Sequence, residues 1–143
     1  NKGMESMAEA RVIKIDEAPV FKRGDEVETR LLVGREQCET TGFTSGTTQF
    51  PAGKKVPFHS HNCNEQVTIL GGEALVEIEG RESVPVGRHD TVFVPQGKSH
   101  RFINSGNGPL TILWLYDTEN VTRTFTKSGK TVTHLSEGDR VTP

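Results

Sequence analysis

The chain is short of several things. Among 143 residues there are two cysteines (Cys38 and Cys63), one tryptophan, one tyrosine, eight leucines and five alanines. Two thiols are too few for a small scaffold stapled by disulfides, and they suit a reducing cytoplasm, the location expected here. No window approaches the roughly 18 consecutive apolar residues of a membrane-crossing helix, and the N-terminal stretch lacks the apolar run of a secretory signal. An excess of one charge is also lacking: 17 Lys and Arg against 19 Asp and Glu leave a net charge of -2 with no basic stripe. The phosphate-driven attraction behind nucleic-acid binding therefore has no source. There is no Gly-rich nucleotide loop and no nucleophile in a recognised motif, so phosphoryl transfer and covalent acyl chemistry have no basis. Neither nucleic acid nor a membrane is an expected partner.

What is plentiful points to sheet. Val, Ile and Thr number 14, 6 and 16; β-branched side chains suit a pleated surface, and the strong helix formers are scarce. The length is that of one domain. Strands are expected over Arg11–Ile15, Val27–Val33, Thr41–Phe50, Gln66–Leu70, Ala74–Ile78, Ser83–Val86, Thr91–Val94, Ser99–Ile103 and Leu110–Tyr116. Turns fall at Pro51-Ala52-Gly53, Gly71-Gly72, Gly80, Pro95-Gln96-Gly97 and Asn104–Pro109. Short strands about ten residues apart with glycine turns describe a sandwich or barrel rather than βαβ units. Val121–Thr126 and Thr131–Leu135 read as a hairpin appended to that body. The expected organisation is a disordered extension or expression remnant over 1–10, a barrel over 11–118 and a C-terminal hairpin extension over 119–143. Thr alternating with Arg123 and Phe125 suits a strand that crosses to a partner or covers an edge, and a homodimer is expected.

The histidines carry the chemistry. His59 and His61 are two apart, so on a strand both imidazoles project from one face. Glu65 is an even step further on and keeps that face if the strand runs unbroken. His100 opens another expected strand, just after Pro95-Gln96-Gly97. Strands laid side by side would bring three imidazoles and one carboxylate to a common point, a donor set for a divalent first-row metal. A bare His-x-His is more often a pair of surface residues, but here the pair does not stand alone.

Gly53, five residues, His59-Ser60-His61, three residues, Glu65, six residues and Gly72 make one motif. Pro95-Gln96-Gly97, two residues, His100, three residues and Asn104 make a second. Together they resemble the cupin superfamily. The pattern departs from the family at His89, where the second motif usually begins with Gly. The resemblance implies an all-β fold, a single-domain antiparallel jelly-roll β-barrel, with His59, His61, Glu65 and His100 as ligands of one divalent transition metal (Fe, Mn, Ni, Zn or Cu). Four protein ligands leave up to two positions open on an octahedral ion, which is a catalytic rather than a structural arrangement. The implied function is that of an oxidoreductase of the dioxygenase type, or of a Lewis-acid lyase, isomerase or decarboxylase, acting on a small organic molecule. The alternative is a metal-dependent module that binds or senses a small ligand without turnover.

The other candidates are read as structural. His89 caps a turn, His134 sits on the surface of the tail, Cys63 turns outwards on its loop, and Cys38 is a small buried residue. Phe58, Phe102, Ile112, Trp114 and Tyr116 fill the core or line a pocket. Phe102 shares the face of His100 and is the expected apolar wall of a substrate pocket. Gln49 and Arg101 have no assigned direction.

Overall fold

A computed structural model of the chain describes residues 9–39 and 41–140, so most of the extension expected over 1–10 lies outside the described residues. The strands are β1 (Val20–Lys22), β2 (Glu28–Val33), β3 (Thr44–Phe50), β4 (His59–His61), β5 (Glu65–Gly71), β6 (Glu73–Ile78), β7 (Val84–Gly87), β8 (Thr91–Val94), β9 (His100–Asn104), β10 (Leu110–Tyr116), β11 (Thr122–Phe125) and β12 (Thr131–Thr133). The one-turn helix α1 spans Arg35–Cys38, and 3-10 turns cover Ile15–Glu17 and Glu137–Asp139. Two six-stranded sheets form, in the orders β1-β2-β3-β10-β5-β8 and β12-β11-β4-β9-β6-β7. Every pairing is antiparallel. The result is the expected all-β jelly roll.

Period-two alternation aims the core. In β10, Leu110, Ile112, Trp114 and Tyr116 are buried while the residues between them are not; in β5 the inward set is Glu65, Val67 and Ile69, and in β9 it is His100, Phe102 and Asn104. The apolar members meet Phe50, Val56, Ala74 and Val76 between the sheets. The second motif's Asn104 is a buried brace: its Nδ2 donates to the carbonyls of Phe50 (2.9 Å) and Gly108 (2.8 Å), and its Oδ1 accepts from Gly106 N–H. Gly72, with φ +89, lies so near the next chain that a Cβ would stand 2.5 Å from the Pro109 carbonyl oxygen. Only glycine fits there.

Three expectations need correcting. Arg11–Ile15 is not a strand: it has no ladder partner, and Ile13 and Ile15 border a groove with Leu32, Leu70 and Leu113 on the outer face of the first sheet. The edge position is taken by β1, too short to show as a periodic run. Cys38 is half-buried on α1 rather than fully inside. The C-terminal hairpin is less an appendage than the rim of the second sheet, because β11 bonds to β4 with Arg123 opposite His61.

Candidate metal centre

The strand carrying His59 and His61 does not run on to Glu65. It breaks at Asn62-Cys63-Asn64, and two asparagines hold the break. Asn62 exchanges bonds with the backbone of Asn120 and Thr122, and Asn64 is held by both carboxylate oxygens of Asp117 at 3.0 Å. The chain thereby passes from one sheet to the other, and Glu65 enters as the first inward residue of β5. His100 arrives by direct pairing, His59 opposite His100. The preceding turn is pinned by the Gly97 N–H donating to the His61 carbonyl at 3.0 Å, with Gly97 at φ +81.

All four side chains are buried. One ligand nitrogen from each of His59, His61 and His100 lies within 4.8 Å of the others. Glu65 Oε1 is 2.9 Å from His100 Nε2 and 3.7 Å from His61 Nε2. Each imidazole donates its Nδ1–H to a backbone carbonyl: His59 to Pro57 (2.8 Å), His61 to Thr122 (3.0 Å) and His100 to Lys98 (3.0 Å). That leaves Nε2 of each ring as the nitrogen not bonded to the backbone, and His100 Nε2 is the one bonded to Glu65 Oε1.

The electrostatics agree. Burial holds the His59 imidazole well below its ordinary range, helped by the charge of Arg123, and pushes His61 down to about 4 against the pull of Glu65. Burial by itself would raise Glu65, but the His100 hydrogen bond and the nearby charges outweigh it and hold the carboxyl below its ordinary value. His59 and His61, kept neutral by burial beside an ionised carboxylate, are donors of the kind a divalent transition metal takes. Tyr116, kept neutral first by burial and then by Glu65, places its hydroxyl 3.3 Å from His61 Nε2.

The enclosed space beside these residues is about 30 Å³, lined in part by Phe102, Ile112, Trp114, Tyr116, Arg123 and His134. Phe102 meets His100 edge to face, ring centroids 6.3 Å apart. Outside lies a larger cleft of about 500 Å³, bordered by Phe21, Leu31, Arg35, Glu119, Val121 and Leu135. His134 lines both spaces.

Two readings of single residues change here. His134 is not a surface residue of the tail: its ring packs edge-on against Trp114 (5.2 Å) and Tyr116 (5.1 Å), because β12 folds back over the barrel mouth. Cys63 does not turn outwards. Its side chain joins the core, where burial pushes the thiol up to about 12. His89 is exposed at a turn and its N–H donates to the Ile69 carbonyl. Gln49 points to solvent, while Arg101 bonds Glu77 at 2.6 Å and covers the Phe58 ring. The reading by spacing missed Arg123, about sixty residues from His61 in sequence. Its alternation with Phe125 was the available signal, since it puts both on the inward face of β11.

A two-sheet jelly roll thus gathers three buried imidazoles and a carboxylate at one end, a set of donors that could hold an ion. Comparison with known proteins agrees: residues 46–116 match the Cupin domain model. Over 89 residues the chain is 30% identical to the oxalate-binding protein of Thermotoga maritima, covering 62% of this chain and 73% of that one. Over 64 residues it is 36% identical to an uncharacterised protein of Methanocaldococcus jannaschii, covering 44% of this chain and 50% of that one. The crystal structure of a predicted oxalate decarboxylase from Thermotoga maritima superposes with a TM-score of 0.66 at 27% identity, covering 76% of this chain and 99% of that one. The match to the archaeal relative thus spans only half of that relative's length. The chain belongs to the cupin superfamily.

Proposed function

We propose that the chain holds one divalent transition-metal ion (Fe, Mn, Ni, Zn or Cu) on His59, His61, Glu65 and His100. With it the protein acts on a small organic molecule, as a dioxygenase or as a Lewis-acid lyase, isomerase or decarboxylase. The observation that carries this reading is the set of three Nδ1–H groups bonded to carbonyls, which leaves three buried Nε2 atoms gathered beside a carboxylate. A seated ion would supply Lewis-acid polarisation of a carbonyl or carboxylate oxygen and, if redox-active, electron exchange with dioxygen. The chain's own residues do the rest. Phe102, Ile112 and Trp114 exclude water, and the neutral Tyr116 hydroxyl is a proton donor at the same face.

Substrate would enter from the outer cleft past His134. The likeness to an oxalate-binding protein and to a predicted oxalate decarboxylase of Thermotoga maritima makes oxalate the first compound to try. The likeness to an oxalate-binding protein also favours a second reading, capture of a small ligand without turnover. A homodimer in the cytoplasm is the proposed assembly and location, supported by the exposed Phe93 and Leu115 and by two free thiols.

The test is metal analysis of protein purified without added metal, beside the His100→Ala variant. Near-stoichiometric metal in the parent and loss of most of it in the variant are expected, since one of four ligands is removed. Unchanged metal in the variant would reject the ligand set. Oxygen uptake and substrate loss across small carboxylates, diketones and phenols then separate turnover from capture.

A further inference from the structure

Arg123 is the charged group the metal site leaves unexplained. Its side chain is 6% exposed, and it lines the 30 Å³ space together with His59, Glu65 and His100. Its Nε and Nη1 make no hydrogen bond; its contacts are an ion pair from Nη1 to Asp139 Oδ1 at 3.3 Å and the Phe125 ring. Among the described residues Asp139 Oδ1 makes no other bond, whereas its Oδ2 accepts from Leu135 N–H and pairs with Arg23 at 3.2 Å. Arg23 is well satisfied, giving Nε–H to Thr29 and Nη1–H to the Asp139 carbonyl. One buried carboxylate thus serves two buried guanidiniums that both line the cavity, and Arg123 keeps its Nε–H unbonded. A buried guanidinium with unmade bonds is costly unless something supplies the acceptors.

The charge balance points the same way. With a divalent ion seated, two guanidiniums and that ion would face two carboxylates, Asp139 and Glu65, leaving two positive charges uncompensated around a small buried space. We propose that Arg123 is the receptor for a carboxylate of the substrate, so that the site selects small dianions with one oxygen donor on the metal and a second carboxylate against the guanidinium fork. This rests on the metal reading above. It adds the substrate class, small dicarboxylates, and the residue that reads it. The space as it stands holds about one water, so such a ligand displaces the His134 ring towards the outer cleft.

The site carries its own reporter, because Trp114 is the only tryptophan and lines the same cavity. Metal-loaded protein is titrated with oxalate, malonate, the malonate monoamide and acetate, followed by Trp114 fluorescence and by calorimetry, with bound metal measured on the same samples. In the parent, malonate is expected to bind at least about 10-fold more tightly than its monoamide, since a charge-assisted fork is lost with the second carboxylate. Arg123→Gln should weaken the dicarboxylates by about 10- to 100-fold, change acetate by less than about 3-fold and leave metal content unchanged. Arg123→Lys keeps the charge without the fork and should fall between the two.

Equal affinity of the parent for malonate and its monoamide overturns the proposal without reliance on any variant. Unchanged dicarboxylate affinity in a folded, metal-replete Arg123→Gln protein overturns it too. Failure of the parent to take up metal would instead reject the underlying function.

Discussion

Each of the three histidines gives one ring nitrogen to a backbone carbonyl, and that bond settles what the other nitrogen can do. It also sets how the metal-free protein responds to acid. An exposed histidine titrates near about 6.5, whereas burial holds His61 at about 4 in the folded state and His59 well below its ordinary range. Between those values the unfolded chain binds protons that the folded one refuses, so stability falls as pH drops from about 6.5 towards 4. For His61 alone the loss is on the order of 3 kcal/mol. Urea midpoints of metal-free protein at pH 7, 5.5 and 4.5 check this, and a flat profile would contradict it. A second residue-level expectation concerns His89, which sits at φ +76 where the family pattern has glycine. A left-handed backbone costs a side-chain-bearing residue roughly 1–2 kcal/mol, part of which glycine returns as unfolded-state entropy. His89→Gly should therefore stabilise by up to about 1 kcal/mol, read as a raised melting temperature with metal content unchanged.

At the scale of elements, the C-terminal hairpin and the turn after it complete the barrel's open end. β11 supplies the Thr122 carbonyl that fixes His61 and the inward Arg123, β12 leads into His134, and the 3-10 turn Glu137–Asp139 delivers the carboxylate between two arginines. Asp139→Ala strips the shared counter-charge from both guanidiniums. Breaking a buried pair in this way costs about 3–5 kcal/mol, and chemical denaturation should show a loss of that size. A loss below about 1 kcal/mol would mean that water reaches the arginines and that the tail does not seal the barrel. Most of these elements were legible in the sequence because alternation and glycine turns are local signals: Thr91–Val94 and Leu110–Tyr116 fall where the pattern puts them. β1 was not legible, since three residues show no period, and Arg11–Ile15 alternates for a different reason, to cover a sheet face.

At the scale of the whole molecule, the outer face of the first sheet offers a place for a second copy. Phe93, Gln66 and Leu115 stand opposite one another across β8, β5 and β10, with Phe93 63% and Leu115 37% exposed. Exposed apolar side chains on either side of Gln66, on the face that also carries Leu70, are what an isologous contact covers. Light scattering should find a dimer for the parent chain and a monomer for the Phe93→Glu, Leu115→Glu double variant. A monomeric parent would remove the dimer from the proposal.

The sequence by itself determined the fold class and named the four candidate ligands, because β-branched composition, period-two alternation and fixed motif spacings are local properties of a chain. It also placed Phe102 on the face of His100, two residues away on one strand. Only the tertiary structure decided that Glu65 reaches the site from the opposite sheet, that His134 walls the cavity, and that Arg123 and Asp139 share it. Those placements depend on where β5, β11, β12 and the final turn pack. Packing is set by the burial of the whole core and by pairings dozens of residues apart, which no window along the chain contains.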